Sequence, residues 1–383
     1  MKSFIQYDAK CHFPIQNLPY GIFSSQENSS PRAGVAIGEQ VLDLAQCEEE
    51  GLLSTNYFGH STLNQFMGAG KSEWSNVRKQ IQNLLSDSNP ILRDNTELRD
   101  KLFYNQSDVK MHLPAEIGDY TDFYSSRQHA TNVGAMFRDP ENALLPNWLH
   151  LPVGYHGRSS SIVMSGTDIK RPNGQTMPVG ADEPAFGPCK LMDFELEMGC
   201  FIGPGNNLGE PISTKNASEH LFGLILVNDW SARDIQKWEY VPLGPFLAKN
   251  LATSISPWII PFEALEPFRI ENPVQENPTP LPYLQVDKKW TFDMNLEVLL
   301  KTEKMDNPET ICKSNYKYMY WNVAQQLAHH TITGCNMKPG DMFASGTISG
   351  EDEKSYGSML ELAWKGTKPI QLSTGEERKF IQD

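Results

Sequence analysis

Three carboxylates occupy alternate positions of one short segment. Asp193, Glu195 and Glu197 alternate with apolar residues between positions 190 and 198. Successive side chains of a β-strand point to opposite faces, so the three carboxylates would share one face of a strand. Like charges a few ångströms apart raise each other's pKa unless they face water or surround a hard cation. The segment therefore predicts either a solvated strand face or a metal site.

A second segment shows that the alternation alone does not decide between these two outcomes. Residues 291–298 alternate in the same way and carry Asp293 and Glu297. That segment is typical of an ordinary half-buried strand with one polar face. On pattern alone a solvated face is the more frequent outcome for both segments, so the choice depends on residues elsewhere in the chain.

Asp229 is a further candidate ligand. It follows the apolar run Leu221–Val227, which is typical of a buried strand. Ser231, with Asp234 three residues later, is typical of a capping box that opens a helix. Asp229 is therefore expected at the mouth of a strand, where functional residues are common.

The predicted helix after Asp229 carries polar residues that could line the same site. Arg233, Gln236 and Tyr240 fall at spacings i, i+3 and i+7, which is roughly one helix face. On their own, such residues are more typical of a solvated helix side. Lys249 follows the apolar run 245–248, where a cation is costly unless an anion pairs with it.

An imidazole and a carboxylate form a candidate acid–base pair. The segment Asp119–His129 precedes an apparent helix and ends in His129. Glu361 lies in the apolar segment 358–364, which we interpret as a strand, and an unpaired carboxylate there would be expensive. A buried Glu beside a His can fix the tautomer of the ring and stabilise its protonated form. The segment 346–350 adds the Gly-flanked hydroxyl of Thr347, although alone it is typical of a loop.

Composition excludes several classes of protein. The net charge is -14 and the pI is near 5.1, and the basic residues are scattered, which argues against a nucleic-acid partner. No apolar run is long enough to span a membrane, and the amino terminus lacks the apolar region of a signal peptide. The six cysteines are dispersed without a Cys-x-x-Cys pair, which favours reduced thiols in the cytoplasm.

The elements that must position these residues suggest two domains. A length of 383 residues allows one small and one large domain. The first region, residues 1–113, is predicted to be β-rich with one or two helices. The second, residues 114–383, is predicted to be strand-rich, with helices near 125–137, 231–240 and 316–331. The fold class is therefore expected to be mainly β, of the α+β type.

These residues and their order resemble the fumarylacetoacetate hydrolase family. The resemblance runs from His12 to the last residues, and it implies an SH3-like β-barrel domain at 1–113, a mixed β-roll catalytic domain at 114–383 and a homodimer. Its strongest blocks are Asp119–His129, Gly154–Ser160, Asp193–Gly199, Asn228–Tyr240, Gly244–Pro257 and Ser345–Trp364. The family continues past the equivalent of residues 380–383 into a Gly-Asp turn and further strands, so we expect roll closure or dimer contacts to be affected.

The resemblance also implies roles for individual residues. The implied calcium ligands are Asp122, Glu195, Glu197 and Asp229, and the implied magnesium-linked residues are Asp229, Lys249 and Thr253. The implied catalytic residues are the general base His129, its orienting partner Glu361, and Arg233, Gln236 and Lys249. The implied substrate-binding residues are Tyr124, Arg138, Tyr155, Gln236, Tyr240 and Thr347.

The implied reaction is metal-dependent hydrolysis of the carbon–carbon bond of 4-fumarylacetoacetate to fumarate and acetoacetate. This is the last step of tyrosine and phenylalanine catabolism. The alternative is a superfamily relative that acts on another 2-oxo or 1,3-dioxo acid as a decarboxylase, isomerase or acylpyruvate hydrolase. Such relatives usually lack the amino-terminal domain that this chain carries. A non-catalytic binding protein ranks third, since it would tolerate the loss of His129 or Glu361.

Overall fold

The amino-terminal region folds around a five-stranded antiparallel sheet. The structure, a computed structural model, describes residues 1–382. The strands are β1 (Tyr20–Ser25), β2 (Arg32–Ile37), β3 (Gln40–Asp43), β4 (Phe103–Asn105) and β5 (Val109–His112), in the order β4-β3-β2-β1-β5. Gly38 lies between β2 and β3 with a φ of 57°, which a glycine adopts without strain, so the chain can reverse there.

Five α-helices accompany this sheet, where the sequence predicts one or two. They are α1 (Leu44–Glu49), α2 (Asn64–Gly68), α3 (Lys71–Leu85), α4 (Pro90–Arg93) and α5 (Thr96–Leu102). Only α3 is long enough for its apolar period to show in the sequence. The short α4 and α5 depend on side-chain caps, because Asn89 and Asn95 accept hydrogen bonds from the backbone N–H groups of Ile91 and Leu98.

A mixed eight-stranded sheet forms the centre of the second region. Its strands are β6 (Tyr120–Phe123), β7 (Gly154–His156), β8 (Ile162–Met164), β9 (Leu196–Ile202), β10 (Leu221–Asp229), β11 (Thr253–Ile255), β12 (Ile260–Pro261) and β13 (Met342–Ala344). The order is β7-β6-β13-β9-β10-β11-β8, and β12 pairs with β10 beside this path. The pairs β13–β6 and β11–β8 are parallel and the rest are antiparallel.

Shorter elements surround the central sheet. The two-stranded ladders pair Asn173–Thr176 with Ala185–Pro188, Met192–Asp193 with Ser231–Ala232, Arg269–Ile270 with Thr291–Phe292, Asn295–Leu300 with Glu309–Asn315, and Ile370–Gln371 with Glu377–Arg378. The helices are α6 (Arg127–Phe137), α7 (Arg233–Glu239), α8 (Leu247–Asn250), α9 (Phe262–Leu265), α10 (Val323–Thr331) and α11 (Met359–Leu362). The 3₁₀ turns are Gln106–Asp108, Pro140–Asn142, Ser159–Ser161, Ala217–Glu219, Glu266–Phe268, Pro282–Leu284, Tyr316–Tyr318 and Glu353–Ser355. The expected mainly β fold of the α+β type is confirmed.

The segment 190–198 is not one continuous strand, so the expectation of a single strand is wrong in part. Met192–Asp193 pairs with Ser231–Ala232, whereas β9 begins only at Leu196 and pairs with β10 and β13. Between these strands the chain passes from one ladder to the next. The alternation survives this step, because the apolar side chains at 194, 196 and 198 all pack into the same core.

Three further expectations about local structure are corrected. Residues 358–364 do not form a strand but contain α11, whose first N–H groups are satisfied partly by the Ser358 side chain, which accepts from Glu361 N. Ser231 and Asp234 do not form a capping box, since the Ser231 hydroxyl donates to the Asp229 carbonyl and α7 begins two residues later. The helix expected at 316–331 begins only at Val323, where Asn322 and Gln325 provide a capping box.

The two regions share one apolar core. Phe66 of α2 and Trp74 of α3 pack edge-on against Phe222 of β10, with ring centroids 5.6 and 5.2 Å away. Phe201 of β9 and Val227 of β10 belong to the same cluster as the core of the amino-terminal sheet. Burying one aromatic side chain of this size contributes about 1.5–3 kcal/mol. The amino-terminal region therefore supports the two strands that carry Glu197 and Asp229.

Two expectations from composition can be compared with the described residues. None of the helices within residues 1–382 combines the length and the apolar character needed to cross a bilayer. All six cysteines are free thiols. The boundary between residues 113 and 114 stays a prediction.

Candidate active site

Four carboxylates from three parts of the chain meet at one end of the central sheet. Asp122 lies in β6, Glu195 just before β9, Glu197 in β9 and Asp229 at the end of β10. Each offers an oxygen such that all four lie within 4.8 Å of one another, and all four residues are buried. Antiparallel pairing of β9 with β10 brings Glu195 and Glu197 beside Asp229, and β13 links β9 to β6.

Two oxygens of this cluster have no hydrogen-bond partner. Asp122 Oδ1 and Glu197 Oε1 are buried and unpaired among the described residues. An ionised oxygen removed from water without a partner is strongly unfavourable. Oxygen donors alone favour a hard cation such as Ca²⁺ or Mg²⁺ over zinc. The donor set therefore fits a divalent cation.

Two cations and two hydroxyls hold the other side of the cluster. Lys249 Nζ donates to Glu195 and, at 2.7 Å, to Asp229 Oδ2. Thr253 Oγ1 donates to Asp229 Oδ1 at 2.8 Å, and Tyr155 OH to Asp229 Oδ2 at 3.3 Å. Arg233 Nη2 donates to Glu195 Oε1 at 2.8 Å. The sequence context of Lys249 predicts that burying its charge is costly unless an anion pairs with it. In the structure two carboxylates, Glu195 and Asp229, pair with this charge.

The pKa shifts set Glu195 apart from the other three carboxylates of the cluster. Burial and the neighbouring carboxylates raise the pKa values of Glu197 and Asp122 well above their ordinary values. Burial acts on Glu195 in the same direction, but Lys249 and Arg233 hold the pKa of its carboxyl well below the usual range. Burial also raises the pKa of Asp229, although Lys249 acts against that shift. The cluster as a whole is therefore short of positive charge, and its unpaired oxygens lie on Asp122 and Glu197.

His129 and Glu361 form a buried pair beside this cluster. His129 Nδ1 lies 2.7 Å from Glu361 Oε2, and the two residues are 4% and 1% exposed. Burial acts to raise the pKa of Glu361, but the His129 ring holds it below its ordinary value, so the carboxylate accepts the Nδ1–H. Ser126 caps α6 by accepting from His129 N. The His129 imidazole also contributes, after Lys249 and Arg233, to the lowered pKa of Glu195.

Glu361 receives three further hydrogen bonds that sequence reasoning missed. Asn132 Nδ2 donates to Oε1 at 2.9 Å, while the hydroxyls of Ser349 and Ser358 donate to Oε2 at 3.0 and 2.8 Å. Asn132 lies three residues after His129 on α6, a spacing that places both side chains on one helix face and could have signalled its role. The carboxylate is therefore fixed from four directions.

The residues expected to bind substrate lie in different environments. The Tyr124 ring lies edge-on to His129 with centroids 5.1 Å apart, and Gln236 Oε1 accepts from Arg233 Nη1 at 3.1 Å. The Thr347 hydroxyl is buried without a partner among the described residues. Tyr240 is half exposed.

Arg138 lies apart from this group. It is exposed, and its guanidinium donates to the Ala143 carbonyl at 2.6 and 3.2 Å, on its own loop. Burial raises the pKa of Tyr124, and Arg138 is close enough for its charge to act against that shift.

Asp193 does not join the four-carboxylate cluster, although it alternates with Glu195 and Glu197. It accepts from Arg233 Nε at 2.8 Å and from the backbone N–H groups of Met359 and Leu360 at 2.7 and 3.1 Å. It is fully buried. The sequence gives no signal for the two backbone partners, because α11 lies more than 160 residues away.

Two family patterns match the chain. The fumarylacetoacetase N-terminal domain matches residues 16–114, and the fumarylacetoacetate (FAA) hydrolase C-terminal domain matches residues 119–378. Fumarylacetoacetase from Homo sapiens is 60% identical over 386 residues, covering 100% of this chain and 92% of that protein. Fumarylacetoacetase from Dictyostelium discoideum is 58% identical over 392 residues, with the same coverage.

A solved structure shares the fold. The crystal structure of a candidate HpcE protein from Mycobacterium smegmatis superposes with a TM-score of 0.50 at 18% identity. The match covers 89% of this chain and 88% of that chain. At this level of identity the likeness concerns the fold alone.

Proposed function

The chain belongs to the fumarylacetoacetate hydrolase family and is a hydrolase that acts on carbon–carbon bonds in ketonic substrates, and we propose that it cleaves 4-fumarylacetoacetate to fumarate and acetoacetate. The observation that carries the proposal is the buried His129–Glu361 pair beside the four carboxylates. Its relatives at 50–60% identity share the whole length of the chain. The reaction would place this enzyme at the last step of tyrosine and phenylalanine breakdown.

The carboxylate cluster would hold one divalent cation. Asp122, Glu195, Glu197 and Asp229 provide the oxygens, and the unpaired Asp122 Oδ1 and Glu197 Oε1 support this assignment. When bound, such a cation polarises a carbonyl of the 1,3-diketone and stabilises the enolate that leaves. We propose Ca²⁺ or Mg²⁺, with Lys249 and Thr253 supporting the cation site through Asp229.

His129 would act as the general base. With the Nδ1–H donated to Glu361, the Nε2 lone pair of the neutral ring would take the proton of the attacking water. As that proton arrives, the Glu361 carboxylate stabilises the imidazolium. Asn132 and the two serines keep the carboxylate in place throughout.

The two buried cations would stabilise negative charge that develops on the substrate. Lys249 and Arg233 are held at the cluster by Glu195, and their donors are fixed before the reaction begins. Donors that are already oriented in a dry site stabilise an oxyanion more strongly than mobile water does. Gln236 lies against Arg233 and would complete this group.

The remaining predicted contacts would hold the carboxylates of the substrate. Tyr124 and Tyr155 lie beside His129 and Asp229, and the unpaired Thr347 hydroxyl is available to a ligand. Arg138 would have to leave the Ala143 carbonyl to form a bidentate clamp on a carboxylate. Tyr240 is exposed enough to close on the substrate from the rim.

A homodimer in the cytoplasm is part of the same proposal. The loop after α7 exposes apolar side chains, with Val241 65%, Leu243 96% and Phe246 64% accessible. Exposed apolar side chains grouped in this way are typical of an interface. Sedimentation equilibrium would test this. We expect a dimer for the wild type and a higher dimer dissociation constant for Leu243→Asp. The six free thiols support a reducing compartment.

A direct assay tests the proposed function. We expect purified protein to consume fumarylacetoacetate, followed by its loss of absorbance, and to lose this activity after EDTA treatment and regain it with CaCl₂ or MgCl₂. Turnover of acylpyruvates or decarboxylation of 2-oxo acids in place of this reaction would favour the superfamily alternative. A protein that consumes none of these compounds in the presence of either cation would contradict the proposal.

A further inference from the structure

Asp193 accepts hydrogen bonds from both halves of the active centre, and we propose that it is a positioning residue that keeps the His129–Glu361 pair in register with the carboxylate cluster. The inference rests on the proposed function, because it assigns a role within that site. Because Asp193 is fully buried, only its protein partners can stabilise a charge on its carboxylate. Its partners lie on α11, which carries Glu361, and on α7, which carries Arg233.

The first contact fixes the helix that carries Glu361. Asp193 Oδ1 accepts from Met359 N at 2.7 Å and Oδ2 from Leu360 N at 3.1 Å. These are the first two residues of α11, whose N–H groups have no partner within the helix. Glu361 is the next residue, so a shift of Asp193 would move the carboxylate that orients His129.

The second contact fixes the cation that faces the metal ligands. Asp193 Oδ2 accepts from Arg233 Nε at 2.8 Å, while Nη2 of the same guanidinium donates to Glu195 Oε1 at 2.8 Å. The three side chains are 0%, 9% and 6% exposed, so these charge-assisted bonds lie in a dry environment. The Arg233 guanidinium therefore bridges Glu195, which belongs to the carboxylate cluster, and Asp193, which does not.

The pairing of the strands explains why Asp193 occupies this position. Asp193 pairs with Ser231 in the short ladder, and Arg233, the first residue of α7, follows two positions after Ser231. The chain then crosses to β9, so Glu195 and Glu197 enter the cluster while Asp193 stays behind it. Asp193 thereby takes up part of the Arg233 charge that Glu195 would otherwise have to neutralise.

The substitution Asp193→Asn tests this role because it keeps the shape and removes the charge. An amide oxygen can still accept from one backbone N–H, but the amide nitrogen cannot accept from Arg233. We expect kcat to fall about 10- to 100-fold, the range for a lost outer-shell partner. We also expect the Kd for Ca²⁺, titrated alone into EDTA-treated protein, to rise at least about fivefold, because Arg233 then pairs with Glu195 alone and competes with the cation.

Asp293→Asn is the matched control. Asp293 has the same position in the similar segment 291–298, but it is exposed. We expect its kcat and Ca²⁺ affinity to stay within about twofold of wild type, as for an ordinary surface substitution. Asp193→Asn values that are equally close to wild type would overturn the proposal, and so would a lowered melting temperature with unchanged kcat.

A double variant separates positioning from general destabilisation. If Asp193 acts through Glu361, adding Asp193→Asn to Glu361→Gln should lower kcat by less than about threefold, since coupled residues are not additive. A full 10-fold or larger further loss would overturn the link to Glu361. If Asp193→Asn does not fold, Asp193→Glu keeps the charge but displaces it, and kcat equal to wild type in that variant would overturn the proposal.

The turnover assay and the Ca²⁺ titration together distinguish this inference from the proposed function. A wild type that does not turn over fumarylacetoacetate refutes the function. The Ca²⁺ titrations of wild type, Asp193→Asn and Asp293→Asn would still show whether Asp193 supports the cation site. Normal turnover with equal Ca²⁺ affinity in all three proteins would refute the inference and leave the function intact.

Discussion

Two segments with the same alternation of carboxylates and apolar residues end in opposite environments. In the first, around β9, Glu195 and Glu197 are buried and face Asp229. In the second, Asp293 and Glu297 are exposed, and the Glu297 carboxylate, with its side chain 49% accessible, lies 3.9 Å from Lys313. The same local pattern thus produces a candidate metal centre in one place and a solvated surface in the other.

The position of each strand in its sheet explains the difference. The strand β9 lies between β10 and β13 inside the eight-stranded sheet, so both of its edges are paired. All of its residues are buried, so both of its faces are covered as well. Asn295–Leu300 pairs only with Glu309–Asn315, and one face of this ladder remains in water. Alternation determines which side chains share a face, and the neighbours of the strand determine what that face can do.

The largest expected difference between the two segments concerns activity. Glu197→Gln should lower kcat/KM about a thousandfold, because a lost ligand costs more than the 10- to 100-fold of a lost outer-shell partner. Glu297→Gln, the same change on the exposed face, should leave kcat/KM within about twofold. Steady-state assays with fumarylacetoacetate check both, and a similar effect of the two substitutions would remove the distinction drawn between the segments.

The lysines that pair with the two carboxylate groups should differ almost as much. In EDTA, Lys249→Met should lower the free energy of unfolding by about 3–5 kcal/mol, because Glu195 and Asp229 lose a buried partner. Lys313→Met removes an exposed pair and should cost less than about 0.5 kcal/mol. Urea unfolding of both variants measures this. Comparable losses would mean that the buried pairing contributes no more than the exposed one.

The apolar sides of the segments provide a smaller contrast. Phe194 is 5% exposed in the apolar cluster that also holds Leu196 and Met198, so Phe194→Ala should cost about 3 kcal/mol, the lower end for such a truncation. Met294 is only partly buried at the edge of that core, and Met294→Ala should cost less than about 2 kcal/mol. Equal midpoints in denaturant for the two variants would show that burial of the two segments is more alike than the structure indicates.

Stabilisation by the cation itself is expected to be slightly smaller than the loss caused by Phe194→Ala. Ca²⁺ at a hundredfold its Kd should stabilise the wild type by about 2.7 kcal/mol, because it binds only the folded protein. Differential scanning calorimetry should therefore give a higher Tm with Ca²⁺ than with EDTA for the wild type and Glu297→Gln. In Glu197→Gln the two values should agree. A Ca²⁺-dependent rise of the same size in Glu197→Gln would place the binding site elsewhere.

Local patterns in the sequence predicted the chemistry of the site better than its geometry. The alternation at 193–197 and the cost of an unpaired Lys249 or Glu361 follow from side-chain type and spacing alone. The choice between a wet face and a metal site did not follow from them, because burial depends on β10 and β13, which come from distant parts of the chain. The family resemblance supplied the missing information and the residue roles.

Two of the errors in local structure have the same origin. Residues 358–364 are apolar enough to suggest a strand, yet the chain forms a short helix there, and Asp193 satisfies its first N–H groups. Ser231 has the spacing of a helix cap, but it lies in a strand paired with Met192–Asp193. In both cases a long-range hydrogen bond overrides the local preference, and a single sequence carries no record of such a bond.

The most direct test of the central claim is a calorimetric titration of CaCl₂ into EDTA-treated protein. If the four buried carboxylates hold one cation beside His129 and Glu361, the wild type and Glu297→Gln should each bind one Ca²⁺ per chain at this centre, and Glu197→Gln should lose that binding. Equal Ca²⁺ binding by Glu197→Gln and the wild type, or no binding by any of the three proteins, would contradict the account.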